Sequence, residues 1–375
     1  MKYKLSVLII DNSQYVTGAL KSILNFSLYA KEKYNFIFIL PNHSRATDYV
    51  INQGFEVIHL PFIEVNRRWR SIVLYFPMLL VNGFKVYKIA QDRGVSIIHV
   101  NDLYNMTGIV AKILGGSFKL LAHVRFMPDR FPAILLKTWI GINLRYAETV
   151  ICVSKAVKEL LPTHPKIYVI YNSIPKFTPN FKKEIKERDE IILLYLANYI
   201  PGKGQNFALE AFALAHKQNT KLRLRFVGGG IEIKRNSLFK EELINRTKVL
   251  KIEDAVAFLG STSNVKDEIL NADIVLNFSE SESFSMTCLE ALSLGTPLIA
   301  TDCGGPSELF VHKHSGWLVK NRDIQAMSEA IVELSNSLKL RALFNENSIR
   351  EANTKFIPEV TLSPLVAIYD KVLKS

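Results

Sequence analysis

Two glutamates and several hydroxyl side chains lie close together in the second half of the chain. Glu282 and Glu290 are separated by seven residues, and Ser283, Ser285 and Thr287 stand between them at the start of a predicted helix. A loop that leads into a helix presents free backbone N–H groups and the positive end of the helix dipole, which suits a phosphate or the oxygens of a sugar. The carboxylate of Glu290, inside the helix, can accept hydrogen bonds from vicinal hydroxyls such as those of a ribose.

The same segment continues through Gly-Thr-Pro and a predicted strand to a pair of glycines, Gly304 and Gly305. Glycines let a backbone come close to a ligand, and Glu308 opens a further helix. On the alternative interpretation, Glu290 is a solvated helix residue and the glycines are turn residues. The ordered combination of two glutamates, a strand and a glycine pair favours a binding site.

The elements that position these residues follow from the pattern of apolar runs. Short β-branched runs alternate with longer segments of helical period in both halves of the chain. The predicted strands are 5–10, 36–40, 55–60, 96–100, 118–124 and 149–154, then 191–198, 221–228, 256–260, 273–279, 296–301 and 316–319. The stretch 176–190, with Pro179 and a dense run of charges, is predicted to be an interdomain linker. We therefore predict two Rossmann-like α/β units in tandem, with the ligand at the carboxyl ends of the strands in the cleft between them.

Length and composition limit the class of protein. The 375 residues exceed one ordinary core, and 48% hydrophobic with 22% charged residues exclude disorder, collagen and coiled coil. The apolar stretch 72–84 is interrupted by Pro77 and falls short of the roughly 18 residues that a membrane span needs, so no transmembrane helix is predicted. The N-terminus has no signal-peptide core and the three cysteines form no close pair, so we expect a cytoplasmic protein with buried thiols.

The excess positive charge lies in the first half of the chain. Residues 1–180 hold 22 Lys+Arg and 10 Asp+Glu, whereas residues 181–375 hold 25 of each. This asymmetry suggests that the first unit meets something anionic, such as nucleic acid, a membrane surface or a phosphate-bearing acceptor, although solubility alone would also explain it. No nucleic-acid-binding signature is present, so we expect no nucleic-acid partner.

The segment 66–88 combines basic residues with an aromatic and aliphatic run. Its basic residues are Arg67, Arg68, Arg70, Lys85 and Lys88. Such a composition suits contact with an anionic membrane surface, and a core helix with solvated ends has much the same composition.

The second half of the chain resembles glycosyltransferase family 4, the retaining group 1 glycosyltransferases with the GT-B fold. The segment 279–309 resembles the Glu-x7-Glu signature of that family. Residues 197–212 resemble its strand, phosphate loop and Lys-Gly pair, and residues 226–230 resemble its nucleotide-side glycine turn. The match is most specific between residues 191 and 310.

The first half carries a thinner match to the same family. VTGA at 16–19 resembles the first strand-to-helix loop, and LAHVR at 121–125 resembles the segment with the active-site histidine. YNSIP at 171–175 resembles the end of the first domain.

The resemblance implies catalytic roles for three residues. Glu282 would accept hydrogen bonds from the hydroxyls of the donor sugar, Lys203 would neutralise the diphosphate leaving group, and His123 would lie near the reacting sugar. For His123 the alternative is a strand-end histidine whose hydrogen bonds are satisfied within the fold.

The resemblance also implies a donor-binding set. Its members are Gly18, Arg125, Asn198, Lys203, Gly204, Gly228, Gly229, Glu282, Phe284, Ser285, Met286, Thr287 and Glu290. Within it, Glu290 would bind the nucleotide ribose, and the backbone of residues 284–287 would hold the sugar and diphosphate. The backbone around Gly228 and Gly229 would border the nucleoside, and Gly18 would let the first-domain loop approach the diphosphate.

Two positions depart from the family pattern. Asn198 stands five residues before Lys203, where the family usually has an arginine, so a phosphate-neutralising charge is missing. We hypothesise that Arg125 supplies this charge. The glycine that usually follows the first signature glutamate is Ser283, which adds a side chain beside the sugar.

Breaking the bond between a sugar and a phosphate develops negative charge on the departing diphosphate, which the site must stabilise. A fixed lysine and a helix N-terminus can do this without a metal. The sequence contains no Asp-x-Asp pattern, and its closest histidine pair, His312 and His314, lies in a polar stretch where we expect solvated side chains. We therefore expect transfer without a metal or other cofactor, and the resemblance implies retention of the anomeric configuration.

The resemblance implies a two-domain glycosyltransferase of hexosyltransferase type. Residues 1–178, with a C-terminal crossover helix at 356–375, would form the acceptor-side domain, and residues 179–355 would bind the nucleotide-sugar. The basic first half suits a glycan or lipid-linked acceptor at the inner face of the cell membrane, which points to bacterial surface polysaccharide or lipopolysaccharide assembly. The alternatives are a non-catalytic nucleotide- or glycan-binding relative and a GT-B nucleotide-sugar epimerase.

Overall fold

The computed structural model describes residues 4–63, 69–175, 183–229, 234–262 and 264–374. The chain divides into two compact units. One comprises Met1–Ser173 with Pro358–Ser375, and the other comprises Ile174–Ile357. The expected domain boundary between residues 178 and 179 lies outside the described residues.

The first unit is built on a parallel sheet of seven strands. They are β1 (Leu5–Ile10), β2 (Tyr34–Pro41), β3 (Glu56–Leu60), β4 (Val95–Val100), β5 (Lys119–Val124), β6 (Thr149–Cys152) and β7 (Ile167–Val169). Their order across the sheet is β3-β2-β1-β4-β5-β6-β7. The last four residues of β1 are fully buried, as expected for a strand covered on both faces.

Helices cover both faces of this sheet. They are α1 (Gly18–Ala30), α2 (Thr47–Ile51), α3 (Trp69–Asp92), α4 (Thr107–Ile113), α5 (Ala133–Tyr146) and α6 (Lys155–Glu159). Helix α1 begins after Thr17, whose hydroxyl accepts a hydrogen bond from Leu20 N at 3.1 Å and so caps the helix.

The second unit has a parallel sheet of six strands. They are β8 (Ile191–Leu196), β9 (Leu222–Val227), β10 (Val256–Leu259), β11 (Ile274–Asn277), β12 (Leu298–Asp302) and β13 (Trp317–Lys320). Their order is β10-β9-β8-β11-β12-β13. The helices of this unit are α7 (Gln205–Gln218), α8 (Lys234–Leu250), α9 (Val265–Asn271), α10 (Met286–Ser293), α11 (Ile324–Asn336) and α12 (Leu338–Lys355).

The chain ends in two helices, α13 (Pro358–Thr361) and α14 (Ser363–Lys374), which belong to the first unit. Leu365, Tyr369 and Val372 of α14 are buried in the core that also contains residues of β1 and α1. Tyr34 Oη donates a hydrogen bond to Asp370 Oδ1 at 2.6 Å, which ties the helix to β2.

The strand order of each sheet reverses at one point, between β1 and β4 in the first unit and between β8 and β11 in the second. In open parallel sheets, ligands bind beyond the carboxyl ends of the strands at such a switch point. The prediction of two parallel Rossmann-like sheets is therefore confirmed. All twelve predicted strands are present, and β7 is an additional one.

Two details differ from the sequence expectations. Of the predicted linker, residues 176–182 lie outside the described residues, while Lys183 is buried and donates hydrogen bonds to Ala272 O and Thr296 Oγ1 of the second unit. Helix α3 continues past Phe84 to Asp92, and its part Val73–Asp92 is long and apolar enough, by length and composition alone, to cross a membrane. The apolar stretch therefore extends beyond residue 84, and the absence of a transmembrane helix stays a prediction.

Candidate functional site

The first signature glutamate lies in a loop that the glycine pair holds in place. Glu282 N–H donates to Cys303 O at 3.0 Å, and Gly305 N–H donates to Glu282 O at 2.8 Å. A Cβ atom at Gly305 would come within 2.3 Å of Phe284 Cα, so only glycine allows this approach. The close backbone contact that the sequence suggested for a ligand is made with the Glu282 loop itself.

Within the second unit, the side chain of Glu282 contacts Lys203, which lies in the loop between β8 and α7 (residues 197–204, the lysine loop). Lys203 Nζ lies 2.5 Å from Glu282 Oε1, and Ser279 Oγ donates to the same oxygen at 3.0 Å. The side chain of Glu282 is 15% exposed and that of Lys203 is 35% exposed. The pair therefore joins two predicted catalytic residues at the surface of one unit, with part of the lysine open to solvent.

A buried tyrosine holds the backbone of the lysine loop in place. Tyr195 Oη donates to Lys203 O at 2.5 Å and accepts from Phe278 N–H at 2.8 Å. Burial raises the pKa of Tyr195, so its hydroxyl stays neutral and can serve as this donor. Gly204 has φ +80° and its missing Cβ would otherwise lie 1.9 Å from Phe278 O. Gly204 is thus required for the loop to pack against Phe278, which directly follows β11.

Helix α10 begins directly after the Glu282 loop. Ser285 has φ 75°, and its Oγ accepts from Cys288 N–H at 3.3 Å and from Asn277 Nδ2 at 3.0 Å. The ring of Phe284 is buried, and its backbone packs against Gly305. The first backbone N–H groups of the helix, at Met286 and Thr287, have no partner within the helix itself.

Glu290 stands one turn further along α10 and is partly buried. The signature therefore lies on one loop and the helix that follows it. This arrangement matches the one that the spacing of the two glutamates predicts.

The glycine turn after β9 packs against the end of β8. A Cβ atom at Gly228 would lie 1.9 Å from Ala197 O, whereas one at Gly229 would first meet Ser261 Cβ at 3.1 Å. Asn198 Oδ1 accepts from Gly229 N–H at 3.2 Å, and Asn198 O accepts from Gln205 Nε2 at 2.8 Å. Asn198, at the position of the family's arginine, thus supports the glycine turn. Gly230 lies outside the described residues.

A cavity of about 460 Å³ opens on the second unit. Its lining comprises Pro201, Lys234, Arg235, Leu238, Phe239 and Glu242. The predicted site residues are all described, and none of them lines this cavity, which adjoins the lysine loop only through Pro201.

In the first unit, Arg125 follows β5 and is held by several hydrogen bonds. Its Nε donates to Asn101 Oδ1 at 3.0 Å, and its Nη1 donates to Ser22 Oγ at 2.9 Å and to Asn172 Oδ1 at 2.8 Å. Burial lowers the pKa of Arg125 to about 10, so the guanidinium remains charged at neutral pH. Its role toward a donor phosphate stays a prediction. Gly18 is exposed at the first turn of α1.

His123 lies one residue before the end of β5 and belongs to a buried row of polar groups. His123 Nδ1 lies 2.6 Å from His99 Nε2, and His99 Nδ1 lies 2.6 Å from Tyr369 Oη of α14. Burial lowers the pKa of both imidazoles, that of His99 to about 3, so both rings are neutral. His123 therefore is a hydrogen-bonded strand-end histidine, which leaves its role near a sugar as a prediction.

Sequence reasoning missed four residues that support the predicted ones: Ser279, Tyr195, His99 and Tyr369. A usable signal existed for His99, because IIHV at the end of β4 and LAHV at the end of β5 each have a histidine directly before the last valine, although His99 pairs with Leu121 in the sheet. Tyr369 lies 270 residues from His99 and gave no local signal.

The described part of the chain brings no three His, Cys, Asp or Glu side chains together as a potential metal site. His312 and His314 are exposed, and His312 Nδ1 accepts from Leu318 N–H at 3.0 Å. Transfer without a metal stays a prediction.

Helix α3 presents an exposed apolar surface. The side chains that form it are Val73, Leu74, Phe76, Leu80, Val81 and Phe84. Lys85 and Lys88 are exposed at one end, with Lys88 Nζ 5.0 Å from the centre of the Phe84 ring. The predicted basic residues Arg67 and Arg68 lie outside the described residues, as does the side chain of Arg70.

Several known bacterial and archaeal proteins are similar in sequence. N-acetyl-alpha-D-glucosaminyl L-malate synthase of Bacillus anthracis is 27% identical over 342 residues, which covers 86% of this chain and 87% of the relative. N,N'-diacetylbacillosaminyl-diphospho-undecaprenol alpha-1,3-N-acetylgalactosaminyltransferase of Campylobacter jejuni is 27% identical over 311 residues, covering 82% of this chain and 73% of the relative.

Solved structures share the fold. Anabaena HepE in complex with UDP and glucose superposes with a TM-score of 0.83 at 19% identity, covering 98% of this chain and 99% of that one. The lipopolysaccharide outer core galactosyltransferase WaaB superposes with a TM-score of 0.73 at 20% identity, covering 98% and 99%. Both likenesses support the GT-B architecture.

Two family models match consecutive parts of the chain. The model described as Glycosyltransferase Family 4 matches residues 16–176, and the model described as Glycosyl transferases group 1 matches residues 176–351. Their common residue, 176, lies next to the boundary between the two compact units. With the signature glutamates, the loop lysine and both Rossmann-like sheets in place, the chain belongs to the group 1 glycosyltransferases of family 4.

Proposed function

We propose that this protein transfers a sugar from a nucleotide-sugar donor to a hydroxyl of a glycan or lipid-linked acceptor, in bacterial surface polysaccharide or lipopolysaccharide assembly. The observation that carries the proposal is the contact between Lys203 Nζ and Glu282 Oε1 at the start of α10. One group in this pair suits a diphosphate and the other suits sugar hydroxyls. The name of the Campylobacter jejuni relative describes transfer to a sugar linked to diphospho-undecaprenol, which is a lipid-linked acceptor of this kind.

In this mechanism Lys203 stabilises the negative charge that develops on the departing diphosphate. The backbone N–H groups at the start of α10 contribute further donors, because they have no partner inside the helix. Glu282 accepts hydrogen bonds from the sugar, and Glu290 accepts them from the ribose. These groups stabilise the leaving group without a metal, and we propose that the anomeric configuration is retained.

Arg125 is our candidate for the positive charge that Asn198 does not supply. Its guanidinium remains charged at neutral pH and follows β5 at the carboxyl end of the sheet, so its positive charge suits a phosphate bound there. Unchanged donor affinity and turnover in Arg125→Ala, in a protein that still folds, would refute this role.

The test is a transfer assay with a panel of nucleotide-sugars and synthetic lipid-phosphate acceptors, with EDTA present. We expect release of a nucleoside diphosphate together with a product whose anomeric proton coupling matches that of the donor. Conversion of the nucleotide-sugar to an isomer without any acceptor would identify an epimerase instead. Nucleotide binding without release of nucleoside diphosphate would identify a binding protein.

We also propose that the first unit binds an anionic membrane surface through α3. The exposed apolar side chains of α3, with Lys85 and Lys88 beside them, have the composition of an interfacial helix. The excess positive charge of the first half has the complementary sign to anionic lipid headgroups.

Sedimentation with phosphatidylglycerol vesicles tests this proposal. We expect the double variant Phe76→Ser/Leu80→Ser to lower the partition coefficient roughly tenfold or more, because two apolar side chains no longer enter the interface. Val249→Ser is the control, since Val249 is an exposed apolar residue on a helix of the second unit. Equal binding of all three proteins would contradict the proposal.

A further inference from the structure

We propose that Tyr369 acts through His99 to hold His123 in the tautomer that carries its hydrogen on Nε2, so that this N–H donates to a hydroxyl oxygen of the transferred sugar. The tautomer assignment stands on the structure of the first unit alone, whereas the sugar as recipient rests on the proposed function. Tyr369 and His99 are positioning residues in this account, and His123 is the residue that touches the substrate.

The three side chains form a continuous row of short contacts. Tyr369 Oη and His99 Nδ1 are 2.6 Å apart, as are His99 Nε2 and His123 Nδ1. The two imidazole rings lie within 20° of parallel with centroids 4.7 Å apart, which is close to the separation that an end-to-end contact of two such nitrogens requires. The nitrogen–nitrogen contact therefore lies near the planes of both rings, as a hydrogen bond between two imidazole nitrogens requires.

Arg125 determines which atom donates and which accepts in the hydrogen bonds of this row. Its Nη2 lies 3.3 Å from His123 Nδ1, and a guanidinium can only donate hydrogen bonds. A hydrogen on His123 Nδ1 would lie against the N–H that Arg125 directs at the same atom. Nδ1 is therefore the acceptor. His99 Nε2 must then carry the hydrogen of the contact between the two rings.

Neutrality of both rings completes the assignment. Both histidines are buried, with 0% and 2% exposure for His99 and His123, and burial disfavours the doubly protonated form. A neutral imidazole carries one N–H, so His99 Nδ1 is bare and accepts from Tyr369, while His123 carries its hydrogen on Nε2.

Tyr369 supports the same direction independently. Its side chain is fully buried, and His99 Nδ1 is the one hydrogen-bond partner of Tyr369 Oη among the described residues. If Tyr369 accepted from His99, its own buried O–H would have no acceptor there, which costs about 1–3 kcal/mol. The hydroxyl therefore donates.

The remaining nitrogen of His123 makes no hydrogen bond to any residue that the structure describes. It lies at the carboxyl end of β5, on the side of the sheet where ligands bind in this class of fold. A fixed N–H at this place can donate to a sugar hydroxyl oxygen and leaves the hydroxyl hydrogen for a carboxylate. A site built this way discriminates against a sugar that lacks the hydroxyl.

Long-range 1H–15N spectra of the imidazoles test the assignment without any substrate. The wild-type protein is compared with Tyr369→Phe, and the signals are assigned with His99→Gln and His123→Gln. We expect a bare Nδ1 and a protonated Nε2 on both rings of the wild type. Tyr369→Phe removes the donor while keeping the ring against Phe26, 5.1 Å between centroids, and we expect mixed tautomers in it.

Tyr34→Phe is the matched control. Tyr34 is a buried tyrosine that packs 5.4 Å from Tyr369, and its hydroxyl bonds to Asp370 instead of the histidine row. We expect its imidazole spectrum and turnover to equal those of the wild type. In Tyr369→Phe we expect kcat to fall about three- to tenfold, the effect of one hydrogen bond, with little change in the KM for the nucleotide-sugar.

Three results would overturn the inference: a protonated Nδ1 on His123 in the wild type, unchanged tautomers in Tyr369→Phe, or an equal loss of turnover in the two tyrosine variants. If the spectra show the predicted tautomers of both histidines but the protein transfers no sugar, the proposed function is refuted instead. The spectra and the turnover assay therefore separate the two failures.

Discussion

Glu282 Oε1 lies 2.5 Å from Lys203 Nζ, so the cation expected to face the diphosphate is paired with the carboxylate expected to hold the sugar. The two side chains come from positions 79 residues apart and are brought together by the packing of the lysine loop against the end of β11. A diphosphate bound as we propose would therefore share Lys203 with Glu282.

This sharing predicts opposite effects of two substitutions on nucleotide binding. Lys203→Ala is expected to weaken nucleoside diphosphate binding roughly ten- to hundredfold, because a charge-assisted contact is lost. Glu282→Gln should leave that affinity unchanged or raise it, because the carboxylate no longer competes for the lysine, while sugar transfer falls about a hundredfold or more.

Titration calorimetry with nucleoside diphosphates checks the first effect, and a transfer assay checks the second. Lys217→Ala, an exposed lysine at the end of α7, is the control and should bind as the wild type does. Weaker nucleoside diphosphate binding in Glu282→Gln would contradict competition within the pair.

Glu290 is expected to recognise the ribose hydroxyls. The wild type should bind a ribonucleoside diphosphate about tenfold more tightly than its 2'-deoxy analogue, because a charged acceptor loses a partner. Glu290→Gln should weaken ribonucleotide binding and remove most of this preference. Calorimetric titration of both nucleotides into both proteins measures the coupling, and an undiminished preference in the variant would place the ribose elsewhere.

The glycine turn predicts different costs at two neighbouring positions. Gly228→Ala is expected to lower the free energy of unfolding by about 1–3 kcal/mol, because the new Cβ meets the backbone oxygen of Ala197. Gly229→Ala should cost less, about 1 kcal/mol or below, since the new Cβ meets the Cβ of Ser261 at 3.1 Å, a tight contact that a small shift of that side chain relieves. Urea unfolding of both variants tests this, and equal costs would argue against the described turn.

The buried histidines predict a loss of stability in mild acid. Burial lowers the pKa of His99 to about 3 and that of His123 below the ordinary 6.5, so below pH 6.5 the unfolded chain binds protons that the folded chain does not. The free energy of unfolding therefore falls as pH decreases from 6.5 toward 3, by roughly 1.4 kcal/mol per pH unit for His99, and His123 acts in the same direction. Asp102 acts in the opposite direction, because burial raises its pKa to about 8.

Comparison of variants isolates the histidine contribution from that of Asp102. Urea unfolding between pH 5 and 6.5 should give a shallower pH dependence for His99→Gln, by roughly 1.4 kcal/mol per pH unit. Tyr34→Phe removes a buried hydroxyl and should keep the wild-type slope. Identical slopes for His99→Gln and the wild type would mean that His99 is protonated in the folded protein.

The strands were predictable because they are short apolar runs of parallel sheets, and strands such as β6 and β11 are buried on both faces. Strand β7 was not, because Ile167–Val169 contributes only three residues and two of them are partly exposed. The glutamate signature was readable because loop and helix are local, so spacing alone orders Glu282, Ser285 and Glu290.

The supporting residues were not predictable, because their partners are distant in sequence. Tyr195 donates a hydrogen bond to the backbone oxygen of Lys203, and a contact to a backbone atom has no sequence motif. Tyr369 reaches His99 only because α14 packs on the sheet of the first unit. Arg125 has the charge that the sequence argument required, but its bonds to three polar side chains could not be read from its neighbours.

The measurement that tests the donor site most directly is a thermal-shift screen with nucleoside diphosphates and nucleotide-sugars in the presence of EDTA. A ligand that binds only the native state raises the Tm by mass action. We predict a selective rise with one nucleotide and its sugar, which persists in EDTA and disappears in Lys203→Ala and Glu290→Gln. No rise with any nucleotide in the folded protein, or a rise that EDTA abolishes, would contradict the metal-free donor site.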